Sequence, residues 1–363
     1  MTCPRVEVRL DRVGRNARTL VDRLGSIGIA VCGVTKATGG SPKVARELLA
    51  GGVTALAESR VENVERLRRA GIATEIVLVR SPMPSQAERV VAAADISLNS
   101  EVDVIELLSS SAVRAGRLHG VVLMIELGDL REGLMPGDVL DAARRVASMP
   151  GVVLRGVGVN LACQSGVIPD ASNMAELSAV AVCVEADLGV ELELVSGGNS
   201  ANLAWALKEP ADTGRINHLR LGESILLGRD PLTRAPIAGL ATDAFTVVGE
   251  VIESKIKPTR PRGSTGQNAF GDAVGDAVGS EGRDRSCRRV IVALGRQDVD
   301  PDGLEMPEGY RIVGASSDHL VVEAGCDAPV PGAELRFGVN YSALLRAMTS
   351  ASVLTCFTDE APA

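Results

Sequence analysis

One lysine, Lys36, stands at the end of an apolar run and inside a glycine-rich turn, within residues 29–40. A strand that delivers one amine into such a turn can hold a nucleophile or a Schiff-base lysine at the mouth of a sheet. Lysines after buried strands are common on protein surfaces, so Lys36 alone does not decide its role. Three more polar motifs follow strand-like runs, which would bring all of them to one face: 129–133 (DLREG), 196–200 (SGGNS) and 220–224 (RLGES).

The elements that must position these motifs alternate between strands and helices. Eight β-rich runs occupy 29–35, 53–57, 75–79, 95–98, 120–127, 152–161, 191–195 and 218–222. Helix-like patterns, with apolar residues three and four apart, include 11–24, 42–49, 102–115, 136–147 and 174–188. This alternation predicts an α/β fold, a parallel (β/α)8 TIM-like barrel over residues 1–240, with its chemistry at the carboxyl ends of the strands.

After about residue 240 the pattern changes to alternating strands without long helices, which predicts a β domain over 241–363. Its predicted strands are 245–252, 289–294, 310–315, 319–323, 334–337 and 352–357. A flexible insertion at about 258–287 is rich in Gly, Pro, Asp and Ser and is either a mobile loop or a lid or dimer-contact loop. The strand-like residues 6–10 precede the first helix and could belong to another sheet.

Composition bounds the class of protein. The chain has 363 residues, 45% apolar and 23% charged, and no apolar stretch long enough to cross a bilayer. With no secretory leader and seven scattered cysteines, it is expected to be a soluble cytoplasmic protein without disulfides. A net charge of −8 and seven aromatic residues argue against nucleic acid as a partner, and no membrane partner is expected.

Taken in order, these motifs resemble the alanine racemase superfamily, the fold type III pyridoxal 5'-phosphate (PLP) enzymes, and are most similar to its ornithine racemase branch. The resemblance covers nearly the whole chain outside about 260–287. It implies a PLP-dependent amino acid racemase that works as a homodimer with an active site shared across subunits. Lys36 takes the position of the lysine that forms the Schiff base with PLP and acts as one catalytic base.

The resemblance also implies contacts to PLP from later strand ends. Arg131 matches an arginine near the cofactor phenolate and the substrate carboxylate. Asn160 stands where the family commonly stacks a histidine on the ring. Ser200, with the backbone N–H groups of Gly222 and Glu223, matches the phosphate site, which suits a buried dianion.

Two further residues match cofactor contacts. Arg220 takes the position of an arginine that faces the pyridine nitrogen and keeps it unprotonated; the alternative is a structural ion pair with Glu223 or Asp212. Tyr341 follows Asn340 as in a family pair whose hydroxyl reaches the phosphate, and the alternative is a half-buried strand tyrosine.

The predicted β domain departs from the pattern at the second base. Where better-known alanine racemases have a tyrosine, this chain has Arg296, which is a poor base because it stays protonated. Asp298 or His319 takes the second proton role, or Arg296 binds substrate, and the sequence leaves these alternatives open. A substrate-facing turn across the dimer would include Ser317, Asp318 and His319.

The resemblance to the ornithine racemase branch points to a basic substrate, whose distal ammonium would pair with Asp129, Glu132, Asp298 or Asp318. Two other functions remain as alternatives: a fold type III decarboxylase, and a non-catalytic PLP-binding homeostasis protein, against which the β domain argues. Cys326-Asp327 is similar to a decarboxylase pair but lies in a Gly/Pro turn. The three histidines lack metal-ligand spacing, so no metal is expected.

Overall fold

The computed structural model describes residues 4–208, 212–261, 263–267, 270–271, 286–325 and 328–358. These residues form two compact units, one of Leu10–Ala244 and one of the residues up to Arg9 together with those from Phe245 onward. The first strand, β1 (Arg5–Arg9), therefore belongs with the end of the chain.

The unit Leu10–Ala244 is a closed barrel of eight parallel strands. The strands are β2 (Ala30–Val34), β3 (Ala55–Glu58), β4 (Ile76–Leu78), β5 (Ile96–Asn99), β6 (His119–Ile125), β7 (Val152–Val159), β8 (Leu194–Ser196) and β9 (His218–Leu221). Strand β2 closes the barrel against β9, with Cys32 opposite Arg220. Each predicted run overlaps one of these strands, so the predicted barrel is confirmed.

Helices cover the barrel because each has an apolar face with residues three and four apart. They are α1 (Leu10–Gly25), α2 (Pro42–Ala50), α3 (Val61–Arg69), α4 (Ala87–Ala93), α5 (Val102–Ala115), α6 (Val139–Ser148), α7 (Ala171–Leu188), α8 (Leu203–Ala206) and α9 (Glu223–Leu227). In α1 the buried residues include Val13, Ala17, Leu20 and Leu24. Alternate residues of β2 to β6 form one buried apolar cluster, which fixes the strand ends that carry the predicted site.

The second unit is built on an eight-stranded sheet. Its later strands are β10 (Phe245–Pro258), β11 (Ser286–Val292), β12 (Leu304–Glu305), β13 (Tyr310–Ala315), β14 (Leu320–Ala324), β15 (Glu334–Val339) and β16 (Leu354–Thr358). The strand order is β12-β15-β10-β11-β14-β13, and β1 pairs antiparallel with β10 and parallel with β16. A C-terminal β domain was predicted, and this fold class is confirmed.

The residues up to Arg9 belong to the second unit, whereas the barrel was predicted over residues 1–240. Buried Arg5 donates to both carboxylate oxygens of Glu334 at 2.7 Å and to Glu7 at 2.9 Å. Glu7 also forms an ion pair with Arg336. These pairs fix β1 in the second unit, and strand alternation at residues 6–10 was the only sequence signal for it.

One helix of the second unit was not predicted. Helix α10 (Tyr341–Thr349) begins after Asn340, whose Oδ1 accepts a hydrogen bond from the N–H of Ala343 at 3.0 Å. Residues 272–285 of the predicted insertion, and Cys326 with Asp327, lie outside the described residues. No described helix has the length and apolar character that a bilayer span requires.

Candidate active site

The turn that carries Lys36 follows strand β2 directly. A single 3-10 turn, Lys36–Thr38, ends at Gly39, whose φ is 59°. Gly40 has a φ of 64°, and a Cβ atom there would lie 2.8 Å from the Cβ of Asn63 in α3. The two glycines therefore let the chain reverse against α3 and leave Lys36 half-buried at the strand end.

Burial lowers the pKa of Lys36. The charges of Arg131 and Arg220 lower this pKa further, whereas Cys163 and Glu58 act in the opposite direction. A lowered pKa increases the fraction of neutral amine, which is the form that attacks a carbonyl or accepts a proton. The fold thus brings Lys36 within electrostatic reach of both arginines that the sequence singled out.

Ser200 lies at the centre of a cluster of hydrogen-bond donors. Its Oγ accepts from the N–H of Gly222 at 3.3 Å, and from the N–H and hydroxyl of Ser224 at 3.2 and 3.0 Å. A Cβ atom on Gly222 would lie 3.1 Å from the Cβ of Val34, so this turn packs closely on the end of β2. Ser224 was missed, although its place in RLGES after a strand is the signal that could have found it.

Arg220 lies in β9 and is 4% exposed. Its Nη2 donates to the carbonyl of Val159 at 2.8 Å, and its Nη1 donates to Ser196 Oγ. Glu223 instead pairs with Arg234 at 2.6 Å, so the alternative ion pair between Arg220 and Glu223 is absent from the described residues. Burial lowers the pKa of Arg220 to about 10, which leaves a buried cation at neutral pH.

Arg220, Ser196 and His218 form a chain of hydrogen bonds in that order. Ser196 Oγ lies 2.9 Å from His218 Nδ1. Because a guanidinium only donates, Ser196 accepts from Arg220 and its own proton goes to His218 Nδ1. Burial, followed by the charge of Arg220, lowers the pKa of His218 to about 3, which keeps the ring neutral. No signal in the sequence predicted this role of His218, which lacks metal-ligand spacing.

Arg131 lies in the loop after β6, and buried Asp129 ties that loop to the one after β7. The carboxylate of Asp129 accepts hydrogen bonds from four backbone N–H groups at 2.8 to 3.4 Å, those of Cys163, Gln164, Ser165 and Val167. Burial by itself would raise the pKa of Asp129, but these hydrogen bonds hold it below its usual value. Arg131 itself is exposed and forms an ion pair with Glu132.

Asn160 follows β7 and faces the loop after β8. Its Oδ1 accepts from Asn199 Nδ2 at 3.2 Å, and the same Nδ2 donates to the carbonyl of Leu161 at 2.8 Å. The Nδ2 of Asn160 is buried and has no hydrogen-bond partner among the described residues. Leaving a buried donor unpaired costs about 1 to 3 kcal/mol, so this atom suits an acceptor supplied by a bound group.

In the second unit, two turns bring five predicted residues together. Gly295 allows the approach, because a Cβ atom there would lie 2.3 Å from the backbone of the 316–319 turn. Backbone N–H groups of Arg296 and Gln297 donate to the carbonyls of Ser316 and Ser317, each at 2.9 Å. The paired turns contain Arg296, Asp298, Ser317, Asp318 and His319.

The side chains of these turns differ in their exposure to solvent and in their hydrogen-bond partners. Asp298 is 4% exposed, and its Oδ2 accepts from the N–H of Gly295 at 2.9 Å. Asp318 is exposed and lies 3.0 Å from His319 Nδ1 and 3.1 Å from the hydroxyl of Ser317. The guanidinium of Arg296 lies 5.0 Å from the ring centre of Phe270.

Tyr341, the first residue of α10, is half-buried. Arg346 of the same helix donates to the carbonyl of Arg296 at 2.5 Å, which connects α10 to the paired turns. Among the residues that the structure describes, no group of three or more His, Cys, Asp or Glu side chains could hold a metal ion.

Comparison with known proteins identifies the family. The model of the alanine racemase N-terminal domain matches residues 8–230. The chain belongs to the alanine racemase family. Lysine racemase of Thermotoga maritima is 37% identical over 96% of this chain and 97% of its own length. Ornithine racemase of Acetoanaerobium sticklandii is 34% identical over 96% and 97%.

The solved structures agree with this assignment at the level of fold. Alanine racemase from a D-cycloserine-producing Streptomyces lavendulae has a TM-score of 0.72 at 20% identity, and the match covers 99% of this chain and 98% of that one. The predicted family and the predicted enzyme class, an amino acid racemase, are confirmed.

Proposed function

We propose that this racemase uses PLP and interconverts the enantiomers of a basic amino acid, with lysine and ornithine as the first candidates. The observation that carries the proposal is Arg220, a buried cation that no described carboxylate pairs with, beside the half-buried amine of Lys36. The names of the two relatives, lysine racemase and ornithine racemase, support the substrate class.

The residues at the strand ends fit PLP in their chemistry. The donor cluster of Ser200, Gly222 and Ser224 suits a phosphate group, which needs several N–H and O–H donors when buried. The unpaired Nδ2 of Asn160 suits an acceptor on the ring or on the substrate. Arg220 suits the pyridine nitrogen, since a guanidinium can only donate and therefore favours an unprotonated acceptor.

The chemistry that PLP supplies when bound is an electron sink, which makes the Cα–H bond of an amino acid acidic. Lys36 would move the proton on one face of Cα, because burial and two arginines favour the neutral form of its Nζ. Arg220 would limit the strength of the sink by keeping the pyridine nitrogen unprotonated, which disfavours side reactions such as transamination. Arg131 would orient the substrate carboxylate.

Proton transfer on the other face would come from the paired turns 295–298 and 316–319, contributed by a partner subunit in a homodimer. Asp298 is fixed by its hydrogen bond to Gly295, and His319 is oriented by Asp318, so each is held in one orientation. A guanidinium only donates hydrogen bonds, so Arg296 would bind substrate rather than act as a base. The hydroxyl of Tyr341 would donate a hydrogen bond to the phosphate.

The contacts of the four candidate carboxylates favour Asp318 as the partner of a distal ammonium. Asp129 already accepts four backbone hydrogen bonds, and Glu132 pairs with Arg131. Asp298 is buried and already accepts a hydrogen bond from the N–H of Gly295. Asp318 is the most exposed of the four, with 54% of its side-chain surface accessible, and its partners are neutral hydroxyls and an imidazole.

The test is chiral chromatography of the proteinogenic amino acids other than glycine, plus ornithine, after incubation with the protein and PLP. Conversion of L-lysine or L-ornithine to the D-enantiomer, without release of CO₂, is the expected result. Release of CO₂ would indicate a decarboxylase. PLP binding without any turnover would indicate a non-catalytic PLP carrier, and preference for alanine would refute the substrate assignment.

A further inference from the structure

Glu58 is a buried carboxyl group behind the turn of Lys36. It is the last residue of β3, and its exposed fraction is 0%. Its Oε2 lies 3.0 Å from the hydroxyl of Thr35, the residue that precedes Lys36, and its Oε1 accepts from the N–H of Ser59 at 2.7 Å. The role of this carboxyl group is not explained by the contacts to PLP or substrate described above.

No described cation forms an ion pair with Glu58. The charged residues on neighbouring elements are Lys36 after β2, Arg60 before α3 and Arg80 after β4, and both arginines are exposed. Burial raises the pKa of Glu58, and hydrogen bonds from the backbone of Ser59 and Arg60 and from the side chains of Asn63 and Thr35 lower it by less. A fully buried carboxyl group without a counter-charge favours its neutral form.

The positions of the oxygen atoms also favour a proton on Glu58. Thr35 Oγ1 lies 3.2 Å from the carbonyl of Ala57 and 3.0 Å from Glu58 Oε2, yet the hydroxyl has one proton for these two acceptors. If Glu58 is neutral, its own O–H donates to Thr35 and Thr35 donates to Ala57. Both short contacts are then hydrogen bonds, whereas with an ionised Glu58 the hydroxyl of Thr35 serves only one of the two acceptors and Ala57 keeps the N–H of Thr35 at 2.9 Å.

The contacts of Glu58 reach both ends of the Lys36 turn. At the beginning, Thr35 is hydrogen-bonded to Glu58, and the carbonyl of Thr35 accepts from the hydroxyl of Thr38 at 2.9 Å. At the end, Asn63, whose side chain lowers the pKa of Glu58, packs against Gly40 at the distance that excludes a Cβ atom there. Displacement of this carboxyl group would therefore change the direction of the Lys36 side chain.

We propose that Glu58 is a positioning residue that holds the Lys36 turn while it is a neutral carboxylic acid. The inference rests on the proposed function only in taking Lys36 as the reacting amine. An ionised carboxylate at this place would stabilise the ammonium form of Lys36, whereas the neutral acid supplies the hydrogen bonds without that charge.

Two substitutions separate the shape of Glu58 from its charge. Glu58→Gln keeps a donor and an acceptor in the geometry of a neutral acid, and Glu58→Met keeps the length but removes both. Glu62→Gln is the matched control, because Glu62 is an exposed residue of α3 that pairs with Arg89. All variants are made in the full chain, and circular dichroism checks that they fold.

The first readout is the infrared C=O band of a protonated carboxylic acid at neutral pH. We expect one band in the unmodified protein and in Glu62→Gln that is lost in both Glu58 variants. The second readout is the pH dependence of acetic anhydride labelling at Lys36 in protein without PLP, measured by peptide mass spectrometry. We expect the same midpoint in the unmodified protein and in Glu58→Gln. A missing band, or a midpoint displaced to lower pH in Glu58→Gln, would mean that Glu58 is ionised and would overturn the proposal.

The third readout is turnover with PLP. We expect Glu58→Met to lose roughly tenfold or more in kcat, since small misplacement of a reacting group has effects of this size, and Glu58→Gln to recover most of it. Equal turnover in the two variants would refute a positioning role. If no form of the protein racemises any amino acid, the proposed function fails, while the infrared and labelling results still decide the state of Glu58.

Discussion

Arg220 gives the most direct test of the candidate site, because a buried cation without a carboxylate partner should destabilise the fold that contains it. The perturbation is Arg220→Met, which replaces the guanidinium with an uncharged side chain of similar length. In protein freed of PLP, we expect this variant to have a larger free energy of unfolding than the unmodified chain, although it removes a residue that we place at the cofactor.

The magnitude follows from the pKa of about 10, compared with 12.5 for an ordinary arginine. One pKa unit corresponds to about 1.4 kcal/mol, so the charge costs the fold roughly 3 kcal/mol. The cost is present at every pH below about 10 and is relieved as the pH rises from there towards 12.5. Arg220→Met also removes the hydrogen bonds to Val159 and Ser196, at about 1 kcal/mol each. A net gain of about 1 kcal/mol remains.

The assay is urea unfolding at neutral pH, followed by circular dichroism, on both proteins after removal of PLP. Arg215→Met is the matched control, because Arg215 lies just before β9 and forms an ion pair with Glu185. Loss of this partly exposed ion pair should lower the free energy of unfolding by up to about 1 kcal/mol. Any destabilisation by Arg220→Met would refute the reasoning, since it would show that the guanidinium is a net stabilising part of the fold.

Four further predictions concern the proposed roles. Borohydride reduction of the protein with PLP, followed by peptide mapping, should find the pyridoxyl group on Lys36, and its recovery on another lysine would refute the assignment. Asp318→Asn should raise KM for lysine or ornithine by roughly tenfold or more, because it weakens one hydrogen bond to a charged group. KM for norleucine, which has no distal ammonium, should stay unchanged. An equal rise in KM for both kinds of substrate would indicate a general defect. Tyr341→Phe should weaken PLP retention by about 0.5 to 1.5 kcal/mol with turnover largely intact at saturating PLP. Asp298→Asn should lower kcat by roughly 10²-fold if Asp298 is the second base, and the opposite pattern for these two variants would mean that their roles are reversed.

The barrel could be predicted because its signals are local. Strand and helix periodicities are properties of short windows, and α5 (Val102–Ala115) has the predicted bounds. The family motifs are also local, and so Lys36, Ser200 and Arg220 could be selected from sequence. Their common location follows from the fold, since all parallel strands of a barrel end on the same side.

The contacts that were missed depend on residues far apart in the chain. Strand β1 joins the second unit through Arg5 and Glu334, which are 329 positions apart. Ser196 and His218 become neighbours only when β8 pairs with β9. Helix α10 has only nine residues, and the sequence offered a half-buried strand position only as the alternative for Tyr341. Short elements and long-range pairs leave little periodic signal.

Arg220 in β9 and Glu58 in β3 are buried on the two strands that flank β2. Burial has opposite consequences for their charges, and the candidate site depends on both. An arginine begins with so high a pKa that a shift to about 10 leaves it charged at neutral pH. The ordinary pKa of a carboxyl group lies in the acidic range. Desolvation raises the pKa of Glu58 and so moves this group towards its neutral form. The two arginines that act on Lys36, Arg131 and Arg220, suit a phosphate and a substrate carboxylate, and they also favour the neutral amine of Lys36. Introducing one more ionised carboxylate beside Lys36 should therefore reduce its reactivity even where every contact to the cofactor is kept.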